Sequence, residues 1–325
     1  MPSSSGSITD CGRIVATGPI AAPAPELLAP FGDLLVARSS DEEELLHLIP
    51  EAVALVVRGG GSRVTARVID AAHELRVIAR TGVGVDEVDL DAATRRGVPV
   101  VIVPDAGAQA VAEGALALLL ALGKRLTLLD RLVREGRWAE RDAVEIRDLE
   151  GSTLGIVGLG RIGRRLADLG RAVGMTVVAA DPYADVAGSE VDLVTLFERS
   201  DFISLHAPLT DETRGMVDAS LLARLPDGAI LVNLARGALI RSLDDVLEAL
   251  ETGRLGGVGL DVFAEEPPDL SHPLFRHERV LVSPHALGMS RAAKSAIARA
   301  AAEGIIAVLR GDRPRAVANP EIYGR

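Results

Sequence analysis

Residues 154–163 read Leu154-Gly155-Ile156-Val157-Gly158-Leu159-Gly160-Arg161-Ile162-Gly163. An apolar strand runs straight into a Gly-x-Gly-x-x-Gly turn, and a helix is expected to open at Arg161. Each glycine has its own reason. Gly158 permits the tight turn, Gly160 clears the backbone for a phosphate, and Gly163 lets the helix approach the strand. The turn points N–H groups outward at the positive end of a helix, which suits a pyrophosphate. Glycines at this spacing also arise by chance, so the context carries the reading. The next strand, Thr176–Ala180, leads to Asp181, about 20 residues past the turn, where a carboxylate accepts from ribose hydroxyls and repels a 2′-phosphate. A carboxylate before Pro182 also serves as a turn or capping residue. The expected ligand is NAD(H), not NADP(H).

Working outward, strands are predicted at 154–157, 176–180, 202–205, 229–233, 257–260 and 280–283, with helices at 161–173, 220–225 and 242–251 between them. Gly253 follows the last of these as a helix C-terminal cap. This rhythm predicts a doubly wound parallel sheet of the Rossmann type. Before it, apolar strands at 13–16, 34–37, 54–57, 76–79 and 98–102 alternate with amphipathic stretches and predict a smaller parallel-sheet domain. Residues 111–134 read as one long helix, apolar almost all round, which calls for burial in a domain junction or a subunit interface. An Ala-rich helix at 291–309 is too isolated to stand alone and is expected to pack back on the first domain. The predicted architecture is α/β: a discontinuous domain, 1–104 with 289–325, around a nucleotide domain, 105–288, with a cleft between them.

The chain's 325 residues suit two domains. Its net charge of −11 and scattered arginines argue against nucleic acid and anionic membranes. Apolar runs such as 115–122 are shorter than the roughly 18–20 residues a bilayer span needs. Residues 1–7 lack the features of a signal peptide. The single cysteine, Cys11, excludes an internal disulfide and a multi-cysteine metal site. A cytoplasmic protein without a metal is expected.

Reducing a keto acid by hydride transfer requires a proton donor, a cation for the carboxylate and a group that tunes the donor. Three segments offer these: Asn233-Leu234-Ala235-Arg236-Gly237, residues 261–267 with Asp261, Glu265, Glu266 and Pro267, and Ser283-Pro284-His285. Each leaves the C-terminal end of a predicted strand, the ligand edge of an open α/β sheet. Taken with Arg80-Thr81-Gly82-Val83-Gly84-Val85-Asp86, Val111-Ala112-Glu113 and His206-Ala207-Pro208-Leu209 with Thr213, the pattern resembles the D-isomer-specific 2-hydroxyacid dehydrogenase family over nearly the entire chain. The phosphoglycerate dehydrogenase-like short form is the better match, because only about forty residues follow His285.

The resemblance implies roles. His285 is the proton donor to the keto oxygen, Glu266 orients it, and Arg236 holds the carboxylate with its planar fork of donors. Glu266 is preferred to Glu265 because it directly precedes Pro267. Backbone N–H groups near Val83 and Gly84 are expected to hold the carboxylate's other side, and Arg58 and Arg80 to hold a distal anion. Cofactor contacts are expected from Gly158, Gly160, Arg161, Ile162, Gly163, Asp181, Ala207, Pro208, Thr213, Leu234, Ala235, Arg236, Asp261, His285 and Gly288. Asp261 reads equally as a turn residue. His206 is a weaker site candidate, and His47, His73, His272 and His277 read as surface or capping residues. Gly107 stands where many relatives carry a pocket Asn, and Gly59-Gly60-Gly61 replaces a Ser/Thr-containing loop, so the acid itself stays open. Homodimerisation through residues 111–134 is expected. Formate or phosphite oxidation, and an NAD(H)-sensing corepressor, are the other readings.

Overall fold

The computed structural model describes residues 12–39, 41–59, 63–184 and 191–324. Cys11, the polar tail at 1–7, and Gly60 and Gly61 lie outside the described residues. In chain order the strands and helices are β1 (Gly12–Ala16), α1 (Ala24–Leu28), β2 (Gly32–Val36), α2 (Glu42–Leu48), β3 (Ala52–Val57), α3 (Ala66–Ala71), β4 (Val77–Arg80), α4 (Leu90–Arg95), β5 (Val100–Val101), α5 (Ala108–Gly123), α6 (Leu126–Arg134), β6 (Thr153–Val157), α7 (Arg161–Ala172), β7 (Thr176–Ala180), α8 (Leu193–Arg199), β8 (Phe202–Leu205), α9 (Ala219–Leu222), β9 (Ala229–Asn233), α10 (Leu243–Glu251), β10 (Leu255–Leu260), β11 (Val280–Val282) and α11 (Arg291–Leu309). They fall into two compact units, Met1–Gly107 with Ser290–Arg325, and Ala108–Met289. Residues 105–107 therefore group with the first unit and Met289 with the second, unlike the division drawn from sequence. The reason is local packing: Ala106 joins the first unit's core, and a Cβ on Gly107 would meet Ile297 of α11 at 3.3 Å.

The first unit holds a parallel sheet in the order β2-β1-β3-β4-β5, the flavodoxin-like order. Its central strand β3 carries apolar residues on both faces because both are covered. Leu55 and Val57 point into one core with Leu45 of α2, Val68 of α3 and Ala92 of α4. Ala54 and Val56 point into the other with Leu28 of α1 and Ala298, Ala301 and Ile305 of α11. The Ala-rich helix thus packs on the first sheet as expected, and Ser290 caps it by accepting the Ala293 N–H at 3.1 Å, worth about 1 kcal/mol. Beyond α11, buried Asn319 ties the C-terminal segment to β5. Its Oδ1 accepts the Val100 N–H at 2.9 Å and its Nδ2 donates to Val98 O at 2.9 Å.

The second unit holds a parallel sheet in the order β11-β10-β9-β8-β6-β7. Strand order reverses between β6 and β8, so a ligand crevice is expected beyond the carboxyl ends of those two strands. Ile230 and Val232 of β9 face the core under α5, whereas Leu231 faces the core under α10.

The single helix expected at 111–134 is two helices. α5 ends at Gly123, and α6 starts after Arg125, which sits at φ 51° in the left-handed region. Gly123 explains the break, because its carbonyl accepts the Arg147 N–H at 2.8 Å and is lost to the next helical turn. The two pieces also differ in burial. α5 is covered within its own unit, leaving Gln109, Glu113 and Ala117 exposed, whereas α6 buries Leu132 and exposes Leu126 and Val133.

Candidate active site

The glycine turn lies between the ends of β6 and β8. Gly158 takes φ 91°, and a Cβ there would come within 2.7 Å of Ala207 N, so only glycine fits between β6 and the residue after His206. A Cβ on Gly163 would run into the Gly158 carbonyl. Gly160 differs, since a Cβ there would meet nothing within 4 Å. Gly158 and Gly163 are required by the protein's own packing; Gly160 is required only if something else approaches the turn. It stands at the N-cap of α7, whose first residues are Arg161 and the partly buried Ile162. An anionic pyrophosphate fits that open, dipole-facing position.

Asp181 follows β7. Its Oδ2 accepts the Leu159 N–H at 2.7 Å and its Oδ1 accepts the Tyr183 N–H at 2.8 Å. The carboxylate therefore braces the turn, and each oxygen keeps a second lone pair for a ribose hydroxyl. Opposite, Ala207 is buried beside Gly158, and Thr213 Oγ1 donates to Pro208 O at 2.6 Å. His206 joins them: its Nε2 meets Ser204 Oγ at 2.8 Å, and its Nδ1 is buried with no partner among the described residues. Burial pulls its pKa down to about 4.

Three loops, after β9, β10 and β11, come together. Buried Asn233 organises the first: its Oδ1 accepts the Ala235 N–H at 3.0 Å and its Nδ2 donates to Arg236 O at 2.9 Å. The Arg236 guanidinium donates from Nη1 to Ala235 O at 2.8 Å. Leu234 is buried against α5, close to Gly114. Gly237 packs so closely on the backbone of residues 263–264 that no Cβ fits, which puts the Arg236 turn against the loop carrying Glu266. In that loop Glu266 Oε1 accepts the Phe263 N–H at 3.1 Å, and Oε2 lies 2.9 Å from His285 Nδ1. A carboxylate only accepts, so Nδ1 carries the proton and Nε2 of the half-exposed ring is left as the acceptor.

Asp261 holds the third loop. It is buried, its Oδ1 accepts from Ser283 Oγ at 2.6 Å and from the Ala286 N–H at 2.9 Å, and its carbonyl accepts the His285 N–H at 2.8 Å. His285 takes φ 51° there. Past it, Gly288 passes Val111 of α5, whose Cγ2 a Cβ would meet at 2.7 Å. Asn233 and Ser283 stand in the segments quoted from the sequence without a role of their own, although a polar residue closing an apolar strand is a usable signal at Asn233. Of the remaining histidines, His47 and His73 are exposed, and His272 and His277 accept nearby backbone N–H groups through Nδ1.

In the first unit, Arg58 follows β3 and its N–H donates to Thr17 Oγ1 at 2.9 Å. Arg80 is buried and paired with Glu87 at 3.2 Å. Val83 is exposed at the tip of the loop after β4, with Gly84 beside it.

Residues 116–286 match the family model described as the D-isomer specific 2-hydroxyacid dehydrogenase NAD-binding domain. The chain belongs to this dehydrogenase family. The second unit is accordingly its NAD-binding domain. The chain is 39% identical over 314 residues to a D-3-phosphoglycerate dehydrogenase of Methanocaldococcus jannaschii, covering 94% of this chain and 59% of that protein. It is 38% identical to a hydroxypyruvate reductase of Thermotoga maritima, covering 86% and 92%. The chain spans little more than half the length of the phosphoglycerate dehydrogenases it matches. Among solved structures, a D-lactate dehydrogenase of Aquifex aeolicus in complex with NAD and lactic acid superposes with a TM-score of 0.84 at 26% identity, covering 92% and 96% of the two chains. A Thermus thermophilus protein gives 0.87 at 36%, covering 94% and 99%.

Proposed function

We propose that this chain is an NAD(H)-dependent oxidoreductase interconverting a 2-keto acid and a D-2-hydroxy acid. The observation that carries the reading is the His285 Nδ1 to Glu266 Oε2 contact of 2.9 Å, in a loop anchored by Asp261. NAD(H), held at the Gly158–Gly163 turn and by Asp181, would supply or accept the hydride. Glu266 holds the Nδ1–H and orients the imidazole, so that the imidazolium gives its Nε2 proton to the keto oxygen during reduction and the neutral ring, protonated at Nδ1, takes a proton at Nε2 during oxidation. Arg236 pairs with the substrate carboxylate and draws electron density from the adjoining carbonyl. Asp181 accepts from the adenosine ribose, and the Gly160 turn receives the pyrophosphate.

The test is absorbance of NADH with a panel of 2-keto acids, for the wild type and for His285→Ala. Turnover that His285→Ala abolishes is expected. Tight NADH binding without turnover of any keto acid overturns the reading, and an NADH-dependent peptide interaction would then favour a sensing role. NAD reduction by formate or phosphite would replace the substrate class.

A cytoplasmic homodimer completes the proposal. Among the described residues no helix is long and apolar enough to cross a membrane. Exposed Leu126, Val133, Trp138 and Ile146 lie within one short stretch of sequence, the composition expected of a covered surface. Light scattering showing a monomer at working concentration overturns the dimer.

A further inference from the structure

Arg80 closes β4 with its side chain buried. Its Nη2 pairs with Glu87 Oε1 at 3.2 Å, and its Nη1 donates to Thr81 O at 3.0 Å. Arg80 Nε and Glu87 Oε2 are buried with no hydrogen-bond partner among the described residues. A pair whose arginine is buried, whose glutamate is partly buried and which leaves a buried orphan atom on each side is a poor source of stability, because desolvation offsets most of its attraction. Its position suggests another use. A Cβ on Gly59 would come within 2.8 Å of Arg80 Nη2, and a Cβ on Gly82 within 2.5 Å of Nη1. These glycines follow β3 and β4 at the ligand edge of the sheet, and Gly59 is exposed. No side chain from either glycine screens the guanidinium.

Arg58 stands at the same edge, where strand order reverses between β1 and β3. Its Nη1 lies 3.1 Å from where a Gly18 Cβ would sit, and among the described residues it has no carboxylate partner. Two guanidiniums thus occupy this edge, and a carboxylate cancels one of them.

We propose that Glu87 is a specificity-determining residue: by neutralising Arg80 beneath Gly59 and Gly82, it leaves Arg58 as the only uncompensated charge of the two arginines, and so disfavours keto acids whose tail carries a phosphate. This rests on the proposed keto acid reaction. Glu87→Gln keeps the shape and an acceptor for Nη2 while removing the charge. The comparison is kcat/KM for hydroxypyruvate and for its phosphate ester, which differ only in the tail. The ratio of ester to free acid is expected to rise on the order of tenfold in Glu87→Gln, with KM for NADH unchanged. The double variant Arg80→Met/Glu87→Met, which removes both charges, is expected to keep the wild-type ratio. Both substrates falling together in Glu87→Gln, or the double variant shifting as the single one does, overturns the proposal. Calorimetric binding of inorganic phosphate separates it from the reaction itself. Roughly tenfold tighter binding in Glu87→Gln supports it even if no keto acid turns over; turnover with equal phosphate affinity and an unchanged ratio refutes it and leaves the dehydrogenase reading intact.

Discussion

His285 Nδ1 lies 2.9 Å from Glu266 Oε2, and the same carboxylate accepts the Phe263 N–H through its other oxygen. The imidazole is thus aimed by a group that is itself tied to the main chain. His285→Asn is expected to lower kcat/KM by roughly 10²–10⁴-fold, while NADH affinity read by fluorescence titration stays within about twofold. Parallel loss of NADH binding would move His285 from proton transfer to cofactor holding.

Glu266→Gln tests the orientation separately. The amide can present an N–H to Nδ1, which stabilises the tautomer protonated at Nε2 and leaves that nitrogen without a lone pair to take the proton of the hydroxy acid. Steady-state kcat for oxidation of the hydroxy acid is expected to fall by at least about 10²-fold with KM little changed. An unaltered kcat would show that the carboxylate does not set the tautomer.

Asp181→Ala removes the ribose acceptor and the brace on the Leu159 N–H together. Expected are a Kd for NADH raised roughly 10–100-fold, by about 1.4 kcal/mol per decade, and a smaller preference over NADPH. Unchanged discrimination in paired titrations would show that Asp181 serves the turn alone.

His206 predicts a pH dependence of stability. Burial lowers its pKa from 6.5 to about 4 in the folded chain, so below pH 6.5 the unfolded chain binds the extra proton and folding loses free energy. The loss runs at about 1.4 kcal/mol per pH unit down to pH 4, where the folded histidine also protonates. Urea unfolding at pH 7 and pH 5 should show a gap that shrinks in His206→Gln. An equal gap in both proteins would assign the acid sensitivity elsewhere.

Asn319→Ala leaves the buried Val100 N–H and Val98 carbonyl without partners. A loss of about 1–3 kcal/mol is expected in denaturant titration. A smaller loss would show that the C-terminal segment is held by its apolar contacts.

The sheets were legible because they are buried on both faces. β3 and β9 are nearly continuous apolar runs, and such runs announce parallel strands. Gly158, Gly163 and Asp181 were legible for a different reason, since each meets a backbone demand at a fixed spacing. The break at Gly123 and Arg125 was hidden, because a carbonyl partner arriving from Arg147 leaves no periodic trace in the sequence around the helix. Glu87 was hidden in the same way. Its partner is seven residues away across a loop, and nothing in a run of charged residues tells a buried pair from a solvated one.

The second unit is continuous, Ala108–Met289, whereas the first is completed only by Ser290–Arg325. During synthesis the nucleotide-binding unit therefore has its whole sequence available before the first unit does, and domains generally fold as units while the chain emerges. Until α11 follows, β4 and β5 lack the helix that covers them, and Ala54 and Val56 of β3 face a core that is still open. The part of the polypeptide made first is thus the last to mature. A chain truncated after Met289 should bind NADH while its first hundred residues remain sensitive to protease.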